Sequence, residues 1–171
     1  MHARRTSHHL ALALTGLLLS GCAAKSPDNN ALAPESVSYN DLVKEISSRK
    51  GQVVIVNFWA TWCMPCRIEF PDFVRFGKEF ADRGVDVVFV STDYEPDMPQ
   101  VIDFLKENGV PWESYIKTGV DFEFISSFHS EWSGALPATF VYDRNGSLRA
   151  FWEGITSFDE LEASVTAILE S

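Results

Sequence analysis

The chain has 171 residues, of which 46% are hydrophobic and 22% charged, with a formal net charge of −10. That length suits one domain with a core large enough to fold alone. So acidic a chain is a poor match for nucleic acid or for electrostatic adhesion to anionic lipid, and both classes are set aside.

Arg4 and Arg5 precede an apolar run from Leu10 to Leu19, too short to span a bilayer and built like a secretory signal. The run ends in Leu19-Ser20-Gly21-Cys22, which resembles a bacterial lipobox. The expectation is a lipoprotein signal over residues 1–21, cleavage before Cys22 and acylation of that cysteine. The alternative is an ordinary signal peptide with Cys22 near its cut. Several acyl chains anchor durably where one gives only marginal binding, so the lipid would hold the protein to the bilayer. Loss of the leader removes Arg4 and Arg5 and takes the charge to −12. It also removes three of the four histidines, leaving His129, while an acylated Cys22 leaves Cys63 and Cys66 as the thiols.

Residues 22–36 read as a lipidated cysteine and flexible tether, rich in Pro, Asn and Ser, and a coil of that length reaches about 20 Å. Residues 37–171 read as the folded domain. Leu42, Val43 and Ile46 mark an amphipathic helix that Gly51 ends, and Val53 to Phe58 is a β-branched apolar run bounded by turn formers, hence a buried strand. A helix opening at Cys63 follows, with an apolar stripe at Phe70, Phe73, Val74 and Phe80 and with Pro71 inside it, expected to kink it. Val85 to Val90 is a second buried strand, so strand–helix–strand implies parallel pairing. Val101 to Leu105 reads as helix closed by Asn108-Gly109, and Ser114 to Ile116 as a short extended piece. The aromatic-rich stretch from Asp121 to Trp132 has no clean period and fits helix or loop. Ala138–Tyr142 and Ser147–Trp152 form a hairpin across Asp143-Arg144-Asn145-Gly146. The last helix opens at Ser157-Phe158-Asp159-Glu160, a capping-box pattern, and buries Leu161, Val165, Ile168 and Leu169.

Cys63 and Cys66 stand where a buried strand gives way to a helix. Cysteines three apart at a helix start share one face, and their sulfurs can close a small disulfide ring. The first sulfur also meets unpaired N–H groups and the positive end of the helix dipole, which favour thiolate and lower the thiol pKa from about 8.5 toward roughly 3.5–7.5. A thiolate attacks disulfides, so the spacing makes a redox couple. Half of a zinc site would need two more ligands at matching spacing, which the chain lacks. A purely structural disulfide is a poor use of so small a ring, which restrains little chain entropy. Glu69 falls one turn after Cys66, on the same helix face. Arg67 is read as surface.

The run Asn57-Phe58-Trp59-Ala60-Thr61-Trp62-Cys63-Met64-Pro65-Cys66, then Glu69 and Pro71, then Leu136-Pro137-Ala138-Thr139-Phe140 with Asp143-Arg144-Asn145-Gly146, resembles the TlpA/ResA-like thiol–disulfide oxidoreductases of the thioredoxin superfamily. The likeness covers roughly Val37 to the C-terminus. It implies an α/β, thioredoxin-like fold: a mixed central sheet flanked by helices, with an extra helix and strand inserted before a cis-Pro segment. It implies Cys63 as nucleophile, Cys66 as the deeper resolving cysteine, and Glu69 as the acid that assists Cys66, because Asn57 stands where minimal thioredoxins carry a buried acid. Pro137 is expected in cis, with Leu136 offering backbone groups to an extended client. Trp62, Met64 and Pro65 would border the sulfurs, Trp62 as part of the docking surface.

The resemblance implies exchange of disulfides with partner proteins outside the cytoplasm, more often as a reductant, in cytochrome c maturation or metal-centre assembly. It implies no cofactor beyond the Cys63–Cys66 disulfide, disulfide-bearing clients, and re-reduction by a membrane thiol transporter. Two alternatives stay open at this point. One is an oxidant or isomerase of the same fold; the other is a Cu(I) metallochaperone using the cysteine pair with His129.

Overall fold

A computed structural model describes residues 33–170; the signal segment, Cys22 and most of the tether lie outside them. The strands are β1 (Glu35–Val37), β2 (Val53–Trp59), β3 (Val85–Ser91), β4 (Tyr115–Lys117), β5 (Ala138–Tyr142) and β6 (Leu148–Glu153). The helices are α1 (Tyr39–Ser48), α2 (Met64–Phe80), α3 (Met98–Glu107), α4 (Asp121–Phe128) and α5 (Phe158–Leu169).

One six-stranded sheet runs in the order β1-β4-β3-β2-β5-β6. The first four strands are parallel, and β5 and β6 join antiparallel, so the sheet is mixed as expected. Every residue of β2 is buried, which is what a central strand covered on both faces requires. Its side chains alternate. Val53, Ile55 and Trp59 join a core formed with α2, α3 and α5, while Val54, Val56 and Phe58 join a core formed with α1 and α4.

The ends of the elements follow local chemistry. Ser38 caps α1 by accepting the Asp41 N–H, and Ser157 with Glu160 forms the expected capping box of α5. Gly109 follows the α3 cap with φ +63°. At the β5–β6 turn Gly146, and not Asn145, takes the positive φ of +81°. Asp143 stabilises the turn through one carboxylate oxygen, which accepts the N–H groups of Asn145 and Ser147 at 2.9 and 3.0 Å.

Three readings of the sequence are refined. The tether gives way by Glu35, two residues before the expected boundary, because Glu35 and Ser36 already pair with Tyr115 and Ile116 of β4. The stretch after Asp121 is a helix, α4, whose Phe124 and Phe128 stack on one side and reach Phe58. Leu169 and Val43 are only partly covered, the latter exposed at 39%. Pro71 lies within α2 and is exposed.

Candidate active site at the start of helix α2

β2 ends at Trp59, and the turn Ala60–Cys63 carries the chain into α2. Cys63 is the N-cap of that helix: its Sγ accepts the Cys66 N–H at 3.3 Å, and its carbonyl accepts the Arg67 N–H. The two sulfurs are bonded as a disulfide. Cys66 is fully buried, whereas Cys63 keeps 5% of its surface. A sulfur arriving from outside therefore meets Cys63 first, and the N–H groups of the first helical turn are in place to stabilise its thiolate. Its chain neighbours Trp62 and Met64 are more than 60% exposed. Exposed apolar side chains flanking this sulfur make a surface suited to another protein.

The Leu136–Pro137 bond is cis. In the β2–β5 register Phe58 faces Ala138, so Pro137 comes alongside Trp59 at the mouth of the active-site turn. Leu136 and Trp62 line one cavity of about 110 Å³ with Tyr94, Lys117 and Trp132. The Trp132 indole N–H donates to the Ala135 carbonyl at 3.0 Å and holds the segment that leads into the cis bond.

Glu69 is buried, with 2% of its surface exposed. One carboxylate oxygen accepts the Asn57 side-chain N–H at 2.8 Å and the other the Thr156 backbone N–H at 2.8 Å. Burial pushes its pKa up from 4.5 to about 7, and these two donors pull the other way. An acid near neutrality, one helical turn after the buried Cys66, has the chemistry to exchange a proton. The loop after β6 ties this acid to the cis-Pro segment, because the Gly154 N–H donates to the Pro137 carbonyl at 2.8 Å two residues before Thr156. Trp152 donates to the Thr156 hydroxyl and braces the same loop.

Sequence reasoning passed over Asp93. This buried carboxylate accepts the Thr61 N–H at 2.9 Å, the Thr61 hydroxyl at 2.6 Å and the Ser91 hydroxyl at 2.7 Å. It binds the end of β3 to the turn that presents Cys63. The available signal was its place just past an apolar run, at the carboxyl end of a parallel strand where α/β folds put their sites. Asp93→Ala strips a partner from three donors, two of them at the active-site turn. The expected loss is roughly 2–4 kcal/mol of stability, read by urea denaturation.

His129 stands apart from the sulfurs. Its ring packs on Phe140 and Phe151, and its Nδ1 accepts the Glu131 N–H at 3.3 Å. The fold does not assemble Cys63, Cys66 and His129 into a ligand set; among the described residues no three His, Cys, Asp or Glu side chains are grouped to hold a metal. Arg67 donates to the Thr61 carbonyl at 3.2 Å and lies over the Phe104 ring.

The family model described as AhpC/TSA matches residues 24–151. The chain belongs to the AhpC/TSA family. It is similar to thioredoxin-like protein YneN of Bacillus subtilis, at 30% identity over 68% of this chain and 65% of that protein. It is similar to thiol:disulfide interchange protein HelX of Rhodobacter capsulatus at 31% identity, over 71% of this chain and 63% of that one. Thiol-disulfide oxidoreductase ResA of Bacillus subtilis is 33% identical over 61% of this chain and 54% of its own. The chain thus spans between about half and two thirds of the length of these relatives. A crystal structure of a thioredoxin-family thiol:disulfide interchange protein from Chlorobium tepidum superimposes with a TM-score of 0.62, at 33% identity, over 71% of this chain and 83% of that one. The AhpC/TSA chain accordingly has a thioredoxin-like fold, and the resemblance to ResA-like proteins read from its motifs is borne out.

Proposed function

We propose that this protein is a thiol–disulfide oxidoreductase that reduces disulfides of partner proteins. The observation that carries the reading is the Cys63–Cys66 couple at the start of α2, with one sulfur reachable, the other buried and the buried Glu69 one helical turn after Cys66. In the reduced enzyme the Cys63 thiolate attacks one sulfur of a client disulfide; a Cys63–client bond forms, and the other client sulfur leaves as a thiolate that takes a proton from solvent. Cys66 then gives its proton to the Glu69 carboxylate, and its thiolate attacks Cys63 Sγ. The Cys63–Cys66 bond forms and the second client thiolate departs, taking up the proton that Glu69 releases. Two electrons pass to the client, and the enzyme is left in the disulfide form.

The lipobox and the short leader support a position outside the cytoplasm, tethered through an acylated Cys22. Among the described residues no helix is long and apolar enough to cross a membrane; the anchor in this reading is the lipid on Cys22. A membrane thiol transporter would restore the dithiol, and assembly of cytochrome c or of a metal centre is the setting to which the resemblance points. Equilibration with thiol–disulfide buffers tests the direction of flow. A potential near or below about −230 mV is expected; a value near −120 mV would make the protein an oxidant of its clients and reverse the assignment.

A further inference from the structure

Asn57 sits at the middle of the sheet, on the face that carries the disulfide, and is 1% exposed. Its side-chain nitrogen donates to Glu69 at 2.8 Å and to the Thr139 hydroxyl at 3.2 Å. Its side-chain oxygen is buried with no partner. A buried carbonyl with no protein partner needs an explanation, since such groups are nearly always satisfied. We infer that the Asn57 carboxamide is a two-state positioning residue for Glu69, turning half a revolution about its Cβ–Cγ bond when Glu69 takes up a proton.

The argument is one of donors and acceptors. Thr156 presents a backbone N–H to one Glu69 oxygen, and a backbone donor cannot turn round. A proton taken by Glu69 therefore belongs on the other oxygen, the one facing Asn57. There the O–H and the Asn57 N–H would be two donors face to face. Exchanging the positions of the amide oxygen and nitrogen removes that conflict. The oxygen then accepts from the Glu69 O–H and from the Thr139 hydroxyl, which serves only as acceptor in the present arrangement and is free to rotate. Each form keeps two hydrogen bonds at the amide and leaves one end bare. An aspartate here would set a second carboxylate against Glu69, and an apolar residue would serve neither form.

Among the described residues no charged group contributes to the state of Glu69. Its hydrogen-bond partners are Asn57 from β2, itself bonded to Thr139 on β5, and Thr156 from the loop before α5. Burial raises its pKa to about 7 against the pull of the two donors.

The inference deepens the reading of Glu69 as the proton carrier for Cys66 and rests on it, yet its test separates the two. NMR of the oxidised protein across pH 5–9 would follow the Asn57 side-chain amide and the Glu69 carboxyl carbon together. The amide resonances are expected to move with the Glu69 midpoint, and the contacts of the amide protons to Thr139 and Glu69 to vanish on the acid side. A Glu69 that titrates beside an unmoved amide overturns the inference, as does a Glu69 that does not titrate in this range. Asn57→Ala supplies a second readout. Losing a partner from both forms should move the Glu69 midpoint by less than about half a pH unit, whereas a rise of about one unit or more would mean that the amide serves the carboxylate alone and would overturn the two-state assignment. Glu69→Gln that resolves a mixed disulfide as fast as the parent would remove the proton-carrier reading without touching either of these results.

Discussion

Cys66→Ala is expected to stop the reaction half-way, with the client held on the enzyme. Cys63 is the helix cap and the sulfur with surface to offer; Cys66 is sealed beneath it among Phe70, Trp59 and Phe73. A reduced Cys66→Ala variant keeps the nucleophile and its N–H groups, so it attacks a disulfide-bearing protein at close to the normal rate. It lacks the second thiolate, so the adduct survives and turnover falls on the order of 10³-fold or more. Non-reducing electrophoresis and mass spectrometry of the trapped species would show one client joined through Cys63. Cys63→Ala should give no adduct, because the remaining sulfur cannot be reached. A stable adduct on Cys63→Ala, at Cys66, would exchange the two roles and contradict the geometry.

What the sequence disclosed follows from how local each feature is. The β2 run, the cysteine spacing, the capping box at Ser157 and the turn at Gly146 are each encoded within a few residues, and each lies where periodicity and cap chemistry put it. The cis bond at Pro137 came from the family motif, since nothing in the flanking residues specifies an isomer. The proton-handling network was largely hidden. Glu69 could be suspected from helical spacing, but its partners are not local: Asn57 lies 12 positions away and is itself bound to Thr139 across 82, and Thr156 lies 87 positions from Glu69. Threonines and a backbone N–H carry no local signature of such a role. Asp93 escaped for the same reason, its partner Thr61 lying 32 positions away. The aromatic stretch after Asp121 hid its helix because Phe124, Phe128 and Trp132 serve one cluster with Phe58 and Phe140, and only the first two lie within α4.

Glu69→Gln is expected to slow the protein and stabilise it at the same time. In the mechanism proposed above the carboxylate takes the Cys66 proton; a glutamine cannot. Resolution of the mixed disulfide should fall on the order of 10²-fold, and its pH profile should lack the inflection near pH 7 expected of the parent as Glu69 ionises. Stability carries the opposite sign. The folded-state pKa of about 7 lies above the ordinary value of 4.5, so between those pH values the folded chain holds a proton that the unfolded chain has lost. Stability therefore declines as pH rises through that window and levels off above it, by on the order of 3 kcal/mol in all. Glutamine is neutral throughout, so Glu69→Gln escapes the decline: the variant should match the parent near pH 4.5 and exceed it at pH 8 by about 1–3 kcal/mol in urea denaturation. A buried carboxylate retained at that cost is the mark of a group kept for its proton. Equal stability of the two proteins at pH 8, together with an unchanged pH profile, would show that Glu69 is already ionised at low pH and has no part in the exchange.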